Sequence, residues 1–291
     1  MEKKIIPDSE LIINSDGTIF HLHLTPEQLS DKIIVVGDPG RVDMIASHFD
    51  SQDFNVSSRE FHAIGGTYKG KKLLCLSHGI GADNIDIVMN ELDALANIDF
   101  ATRTVKDEFR QLEIVRIGTS GSLQPDIALG TPVIATKAIG FDGVLNFYAG
   151  RNEVCDLDFE AAFCKHVNWN PLFCKPYVVD ADQDLVERIG RDDMLRGNTI
   201  AAVGFYGPQG REVRVPLAEP ELNNRIESFR HNGLRVTNYE MESSALQGLA
   251  KLMGHKAMTV CAIIANRRNN DATPNYKTAV ADLVQTVLDR I

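Results

Sequence analysis

The sequence predicts an α/β fold in which strands alternate with helices around a largely parallel or mixed sheet. Short apolar runs typical of buried strands recur along the chain, and stretches with helical periodicity lie between several of them. The 291 residues contain no Ser/Gly-rich linker, internal repeat or low-complexity tract. We therefore expect a single domain over residues 1–291.

The apolar runs that predict strands are, in chain order, residues 33–36, 73–77, 113–117, 132–136, 176–180, 199–203 and 258–264. The stretches that predict helices are residues 41–49, 84–96, 158–167, 219–232, 240–253 and 276–290. The segment 140–175 is richer in aromatic residues and has no regular period, so we interpret it as an insertion or a long excursion.

The composition excludes several classes of function. A net charge of −10 with no basic stripe argues against a nucleic-acid partner. No apolar run approaches the length of a membrane span, and no apolar stretch of the signal-peptide kind follows the N-terminal lysines, so we expect a soluble, cytoplasmic protein. The five cysteines form no C-x-x-C pair, so no metal site is predicted.

Two strand ends carry the same combination of glycine and arginine. The predicted strand 113–117 runs into Arg-Ile-Gly-Thr-Ser-Gly, which offers Arg116, backbone amides and the hydroxyl of Thr119. The strand 33–36 runs into Gly-Asp-Pro-Gly-Arg, which ends at Arg41. Glycine permits close approach of a ligand and arginine donates to oxyanions, so the pair predicts one bound anion, phosphate first. The alternative is that both arginines form surface ion pairs and the glycines only make turns.

Polar groups follow two further strands. Residues 77–81, Ser-His-Gly-Ile-Gly, come after the strand 73–77, and Asn266 and Arg267 come after the last core strand. Ligands of open α/β sheets gather at the carboxyl ends of strands, so we expect these groups to face one cleft. Neither a P-loop nor a dinucleotide fingerprint is present, which favours free phosphate over a nucleotide polyphosphate.

Together these segments resemble the nucleoside phosphorylase superfamily, and specifically the uridine phosphorylases. The matching motifs, in family order, are Phe-His-Leu at 20–22, Gly-Asp-Pro-Gly-Arg at 37–41, Ser-Arg-Glu-Phe at 58–61, Ser-His-Gly-Ile-Gly at 77–81, Arg-Ile-Gly-Thr-Ser-Gly at 116–121, Phe-Tyr-Gly-Pro-Gln-Gly-Arg at 205–211, Asn-Tyr-Glu-Met-Glu-Ser at 238–243 and Asn-Arg at 266–267. The resemblance implies a three-layer α/β/α fold with a central mixed sheet. It also implies phosphorolysis of a nucleoside to base and ribose 1-phosphate, with phosphate as co-substrate and no cofactor.

The resemblance assigns a phosphate site to this chain. It gives Gly37, Arg41, Arg116 and Thr119 to the phosphate of their own subunit, with Arg116 also catalytic. Arg59 matches an arginine that reaches the phosphate of a neighbouring subunit. If this carries over, a complete site needs a homo-oligomer.

The ribose would be bound by His21, Met241 and Glu242 in the same resemblance. His21 matches a residue that crosses the subunit interface to the 5′-hydroxyl. Glu242 is suited to accept hydrogen bonds from the 2′- and 3′-hydroxyls, and the thioether of Met241 to pack on the sugar. The plain alternative for Glu240 and Glu242 is a pair of carboxylates in the first turn of a helix.

The base would be bound by Phe205, Gln209, Arg211 and Arg267. The glutamine amide has both a donor and an acceptor for the imide edge of uracil, and Arg211 donates to a carbonyl oxygen that gains charge as the base leaves, so both are expected to be catalytic. Arg267 would support the pair, and Phe205 would stack on the ring. Purine-cleaving relatives have an aspartate where this chain has Asn266.

The resemblance leaves some points open. Glu60 and Ser77 match residues that bind potassium between subunits in bacterial members; the alternative is an ordinary buried hydrogen-bond pair. Residues 1–18 form an N-terminal extension relative to bacterial members, and the oligomer is a dimer or a hexamer.

Three other functions compete with this interpretation. A nucleosidase would use water and would not need three arginines around an anion. A purine nucleoside phosphorylase is disfavoured by Asn266. A silent nucleoside-binding protein would be expected to lack some of the arginines, Glu242 or the Gln209–Arg211 pair, all of which are present.

Overall fold

The computed structural model describes residues 3–273 and 275–291. The strands are β1 Lys32–Val36, β2 Ser51–Ser58, β3 Phe61–Tyr68, β4 Lys71–Ser77, β5 Ile98–Asp99, β6 Thr104–Val105, β7 Glu113–Ser122, β8 Pro132–Gly140, β9 Tyr177–Asp180, β10 Leu195–Ala201, β11 Val236–Glu240, β12 Lys256–Asn266 and β13 Asp271–Ala272. The helices are α1 Pro39–Ala46, α2 Ala82–Asn97, α3 Arg151–Val154, α4 Leu157–Val167, α5 Gln183–Leu185, α6 Leu222–Ser228, α7 Ser243–Met253 and α8 Lys277–Arg290.

Within the described residues, eleven strands form one mixed sheet. β1 is parallel to both β4 and β7, and β7 is parallel to β12. β12 then pairs with β8, β8 with β10, β10 with β11, and β11 returns to β7 in antiparallel register. Part of the sheet therefore closes on itself into a ring of five strands, and an open wing of β1, β4, β3 and β2 extends from it.

The strand β1 shows how the sheet is covered on both faces. Ile33 and Val35 join an apolar cluster that contains α2 and α7, whereas Ile34 and Val36 join another that contains α1 and α8. Successive side chains of a strand point to opposite faces, so two helical layers enclose the sheet. The predicted three-layer α/β/α fold with a central mixed sheet is confirmed.

Several predicted element boundaries are wrong. The predicted helix 240–253 begins only at Ser243, because residues 236–240 form the buried strand β11. The predicted helix 219–232 is reduced to α6. The hydroxyl pair at 119–120, which lies beyond the predicted strand 113–117, is inside β7, because β7 continues to Ser122. The hairpin of β2 and β3 was missed.

The excursion over 140–175 is more regular than its sequence indicates. It contains α3 and α4, and its aromatic side chains share an apolar cluster with residues of the sheet. Phe141 lies 4.7 Å from Trp169 between ring centroids, and Phe163 packs against Phe229 at 5.3 Å. The aromatic side chains that made the helical period hard to recognise in the sequence therefore pack the excursion against the sheet.

The N-terminal extension is attached by backbone hydrogen bonds. The amide of Ile6 donates to the carbonyl of Arg103, whose guanidinium in turn donates to the carbonyls of Ile6 and Pro7. Met1 and Glu2 lie outside the described residues, and the single domain stays a prediction. Among the helices of the described chain, none has the length and apolar character needed to cross a bilayer.

Candidate active site

The parallel pairing of β1, β4, β7 and β12 brings their carboxyl ends to one edge of the sheet. The segments beginning at Gly37 and His78 follow β1 and β4, and Asn266 is the last residue of β12. These polar groups therefore lie at one edge of the sheet, and that they face one cleft stays a prediction.

Arg116 is the buried centre of this edge. It is 4% exposed, and its guanidinium contacts Glu240 at 3.0 Å and Glu242 at hydrogen-bond distance. Burial alone would lower the pKa of Arg116, but the two carboxylates outweigh burial and raise the pKa above its usual value. Arg116 is therefore a permanent cation, and the interpretation as a surface ion pair is wrong.

Glu240 and Glu242 also hold the surrounding backbone. Glu240 accepts hydrogen bonds from the amides of Glu242, at 2.8 Å, and of Ser243, at 3.0 Å, and so satisfies the amino-terminal end of α7. Glu242 accepts from the amide of Gly81 at 2.7 Å. Burial raises the pKa of Glu242, and Arg116 opposes that rise. The helix-terminus interpretation thus describes Glu240 correctly, but omits its pairing with Arg116.

A second arginine lies close to the first. Arg41 donates to the carbonyl of Ile117 at 3.3 Å. Its guanidinium therefore lies beside the β7 backbone, next to Gly118. Burial lowers the pKa of Arg41, and the nearby charge of Arg116 lowers it further. Two cations held together in this way favour an anion between them. Thr119 lies on β7 opposite Ala262, three positions beyond Arg116.

Gly37 stands where the backbone segments after β1 and β4 approach each other closely. A Cβ atom there would lie 3.0 Å from the carbonyl of Gly79 and 3.7 Å from Cε1 of His78. Gly79 itself has a φ of +74°, a conformation that side chains other than glycine rarely adopt. Gly37 therefore suits the close approach of the β1 and β4 ends, and Gly79 suits the left-handed conformation of the turn after β4.

The residues predicted to bind the base form a second group. Arg211 donates to the carbonyl of Phe205 at 2.5 Å and to Oε1 of Gln209 at 2.6 Å, and its guanidinium lies 3.8 Å from the Phe205 ring centroid. Burial, followed by the charge of Arg267, lowers the pKa of Arg211 to about 10. Arg267 donates to the carbonyl of Gln209 and lies over the ring of Tyr239. The predicted support of the pair by Arg267 is present as a direct contact.

Asn266 takes no part in this group. Its amide nitrogen donates to the carbonyls of Gln124, at 3.0 Å, and Ile127, at 2.9 Å. Its amide oxygen accepts from the backbone of Arg268 and Asn269. Asn266 is buried and fully used by the fold, so its side chain does not replace the aspartate of purine-cleaving relatives.

His21 and Arg59 belong to a separate cluster beside the turn between β2 and β3, where the Glu60 carbonyl accepts from Ser77 at the end of β4. Nδ1 of His21 lies 2.6 Å from Glu91, which also accepts from the amides of His21 and Leu22. Arg59, in the turn between β2 and β3, stands 5.8 Å from the ring of Phe20. The structure therefore places both predicted residues next to Phe20. It shows no contact between either of them and Arg116 in the described chain. Met241 lies between Glu240 and Glu242 and is half-buried.

Ser77 and Glu60 form a hydrogen-bond pair. The Ser77 hydroxyl donates to the carbonyl of Glu60 at 2.6 Å and accepts from the amide of His62 at 2.7 Å. This is the arrangement that the alternative to a potassium site predicts, and the potassium site stays a prediction. In the described parts of the chain, no group of three or more His, Cys, Asp or Glu side chains is placed to hold a metal ion.

A cavity of about 760 Å³ adjoins the base group. Phe141, Trp169 and Phe173 from the excursion form one wall, and the loop that follows Tyr206 forms the other. Arg211 lines this cavity as well as contacting Gln209. The excursion over 140–175 therefore has a structural role, which is to provide an apolar wall beside the base group.

Sequence reasoning missed two residues of the site. Glu240 was given only a helix-terminal role, although it is one of the two carboxylates that pair with Arg116. His78 was included in the segment after β4 but was given no role, although its Nε2 lies 3.2 Å from Nε of Arg116. The signal was their position inside matched motifs, directly beside residues that had been assigned.

With this geometry in place, the class of protein follows. The chain belongs to the phosphorylase superfamily, whose family model matches residues 31–291. It is 30% identical over 273 residues to the uridine phosphorylase of Escherichia coli strain K12, which covers 91% of this chain and 92% of that enzyme. It is 29% identical over 262 residues to the uridine phosphorylase of Thermococcus kodakarensis, with 88% of this chain and 80% of that enzyme covered.

A solved structure is similar over nearly the whole chain. The Trypanosoma brucei nucleoside phosphorylase, described as showing uridine phosphorylase activity, superposes with a TM-score of 0.87 at 27% identity. The match covers 96% of this chain and 98% of that one. The fold and the order of its elements are therefore those of this enzyme family.

The double role of Glu240 predicts a large loss of stability when its charge is removed. We expect Glu240→Gln to lower the free energy of unfolding by about 3 kcal/mol, because Arg116 loses one buried partner. Glu187→Gln, which breaks the surface pair with Arg196, is the control and should change the unfolding midpoint little. Urea denaturation at fixed protein concentration measures both. Equal midpoints for the two variants would contradict the role assigned to Glu240.

Proposed function

We propose that this protein acts as a uridine phosphorylase, converting uridine and phosphate to uracil and ribose 1-phosphate in pyrimidine salvage. Family membership and the names of its relatives support the reaction. The observation that carries the choice of base is the contact between Gln209 and Arg211, held from behind by Arg267. Asn266, which is used by the fold, supports a pyrimidine over a purine.

In the proposed reaction, phosphate binds between Arg41 and Arg116, with the amide of Gly37 and the hydroxyl of Thr119 as further donors. Positioned under the anomeric carbon, the dianion lies beside the cation that develops on the sugar. The bond from C1′ to the base nitrogen breaks, its electron pair leaves with the base, and a phosphate oxygen forms the new bond to C1′. The uracil anion released in this step then takes a proton from solvent.

Glu242 is proposed to bind the ribose hydroxyls. Its pairing with Arg116 supports this, because the same contact joins the phosphate side to the sugar side. Met241, the next residue along the chain, is proposed to pack on the sugar face. His21 is proposed to reach the 5′-hydroxyl of a neighbouring subunit's substrate, and Arg59 that subunit's phosphate.

The uracil ring is proposed to stack on Phe205 and to meet Gln209 with its imide edge. In the structure Oε1 of Gln209 accepts from Arg211. The amide nitrogen is proposed to donate to a carbonyl of uracil, and the second lone pair of Oε1 to accept from N3–H. Cytosine lacks the N3 proton and presents an amino group to the donors of Arg211. A site built on these hydrogen bonds disfavours it by several kcal/mol, on the order of a thousandfold in rate.

Cofactor, partners and location are part of the same proposal. The reaction requires no cofactor, and phosphate is consumed as a co-substrate. The active form is a homo-oligomer with sites shared between subunits, and the enzyme works in the cytoplasm.

The direct test is cleavage of uridine, cytidine and inosine by the purified protein, followed by ultraviolet absorbance with and without phosphate. We expect uridine to be cleaved only with phosphate, and cytidine and inosine to be left intact. Cleavage without phosphate would indicate a nucleosidase, and cleavage of inosine would move the base assignment to purines. No cleavage of any of the three would favour a silent binder.

The base assignment predicts a selective defect. Arg211→Ala should lower kcat/KM for uridine by about 10²–10³, because a donor to the departing base is lost, and should leave the affinity for phosphate unchanged. Steady-state kinetics in both substrates measure this. Arg196→Ala, which removes a surface arginine, is the matched control. Unchanged uridine kinetics in Arg211→Ala would refute the assignment of Gln209 and Arg211 to the base.

The shared site predicts complementation between two inactive variants. Arg116→Ala and Arg59→Ala should each lose activity alone, one in its own site and the other in its neighbour's. Co-expressed subunits should recover up to about a quarter of wild-type activity, since mixed dimers contain one intact site. Phosphorolysis of uridine by the co-purified mixture measures the recovery. A mixture as inactive as its components would place both arginines in the same subunit's site.

A further inference from the structure

His78 lies at the end of β4 and is completely buried. Its Nε2 is 3.2 Å from Nε of Arg116. A guanidinium can only donate, so Nε2 of His78 must be the acceptor in this contact. The hydrogen of a neutral ring is then carried by the other nitrogen, Nδ1.

The ring of His78 is neutral in this environment. Burial holds its pKa well below the usual range, and the charges of Arg116 and Arg41 act in the same direction. The nearby backbone of Gly79 acts as a weak hydrogen-bond partner that opposes this shift in pKa, but among the described residues no atom meets the distance and angle of a hydrogen bond to Nδ1. The site therefore contains a buried N–H donor without a partner, which folded proteins rarely leave unsatisfied.

The position of the ring indicates what the missing partner is. Cε1, which lies between the two ring nitrogens, is 3.7 Å from the place where a Cβ of Gly37 would stand. Gly37 and Arg41 begin the segment that follows β1, and Arg116 contacts the ring itself. The edge of the His78 ring that carries its nitrogens thus borders the space between Gly37 and the two arginines, whose groups donate hydrogen bonds or carry positive charge.

We propose that His78 is a further phosphate-binding residue, whose Nδ1–H donates to an oxygen of the bound anion. Nε2 of the same ring accepts a hydrogen bond from Arg116, so that one side chain both orients the arginine and contacts the bound anion. A neutral donor adds no charge to the site, and His78 does not act as a general base. The inference rests on the proposed function, because it takes phosphate as the anion.

Two conservative variants separate the two ring nitrogens. The amide of His78→Asn places a donor near the position of Nδ1 but does not reach Arg116. The amide of His78→Gln reaches the position of Nε2, where it accepts from Arg116, but leaves the Nδ1 position empty. His78→Phe keeps the ring without either nitrogen, and His48→Asn changes an exposed histidine as the control.

Titration of each purified protein with inorganic phosphate in a calorimeter gives the dissociation constant, and the KM for phosphate with uridine gives a second value. We expect His78→Gln and His78→Phe to weaken phosphate binding by about tenfold or more, the usual loss for a hydrogen bond to a charged group. His78→Asn should stay within about threefold of the wild type, and His48→Asn should not differ from it. Circular dichroism and thermal unfolding check that each variant is folded.

The comparison of His78→Asn with His78→Gln decides the outcome. Binding that is lost in His78→Asn and kept in His78→Gln would overturn the proposal, because the ring would then act only through Arg116. Binding equal to the wild type in all three variants, or equally weak in all three, would overturn it as well. If uridine is not cleaved at all, the proposed function fails, whereas the titration with phosphate still tests His78 by itself.

Discussion

The buried charge of Arg116 is the constraint on which the rest of the site depends. A guanidinium that is removed from water must be surrounded by acceptors, or its burial costs more than the fold can supply. Here Glu240, Glu242 and His78 provide them from a strand end, a helix start and a loop. Because one partner alone would leave buried guanidinium donors without acceptors, these elements are held in one arrangement relative to β7.

That arrangement also fixes the parts of the proposed reaction relative to each other. Glu242 is bound both to Arg116 and to the amide of Gly81, so the sugar side cannot move without disturbing the phosphate side. The residues proposed to bind the base are held separately from the cluster around Arg116, since Arg211 and Gln209 are supported by Arg267. Donors fixed before the substrate arrives stabilise developing charge without reorganisation.

The sequence is informative where chemistry follows strand ends, and misleading where polar residues build the fold. Arg41 and Arg116 could be paired from their matching glycine segments, and the layered fold from the alternation of elements. β11 could not be recognised as a strand, because Asn238 is buried through hydrogen bonds to Ser120 and Thr199 and interrupts the apolar pattern. The closure of the sheet into a ring depends on long-range pairing of β11 with β7, which no local pattern encodes.

We propose that Arg116 and its neighbours hold phosphate, and a crystal structure of the protein with phosphate and a non-cleavable uridine analogue would show where the anion binds. We expect tetrahedral density with oxygens about 3 Å from the guanidinium groups of Arg41 and Arg116, and the uracil ring against Gln209. Phosphate bound elsewhere, with Arg116 closed off by Glu240 and Glu242, would refute the proposed phosphate site.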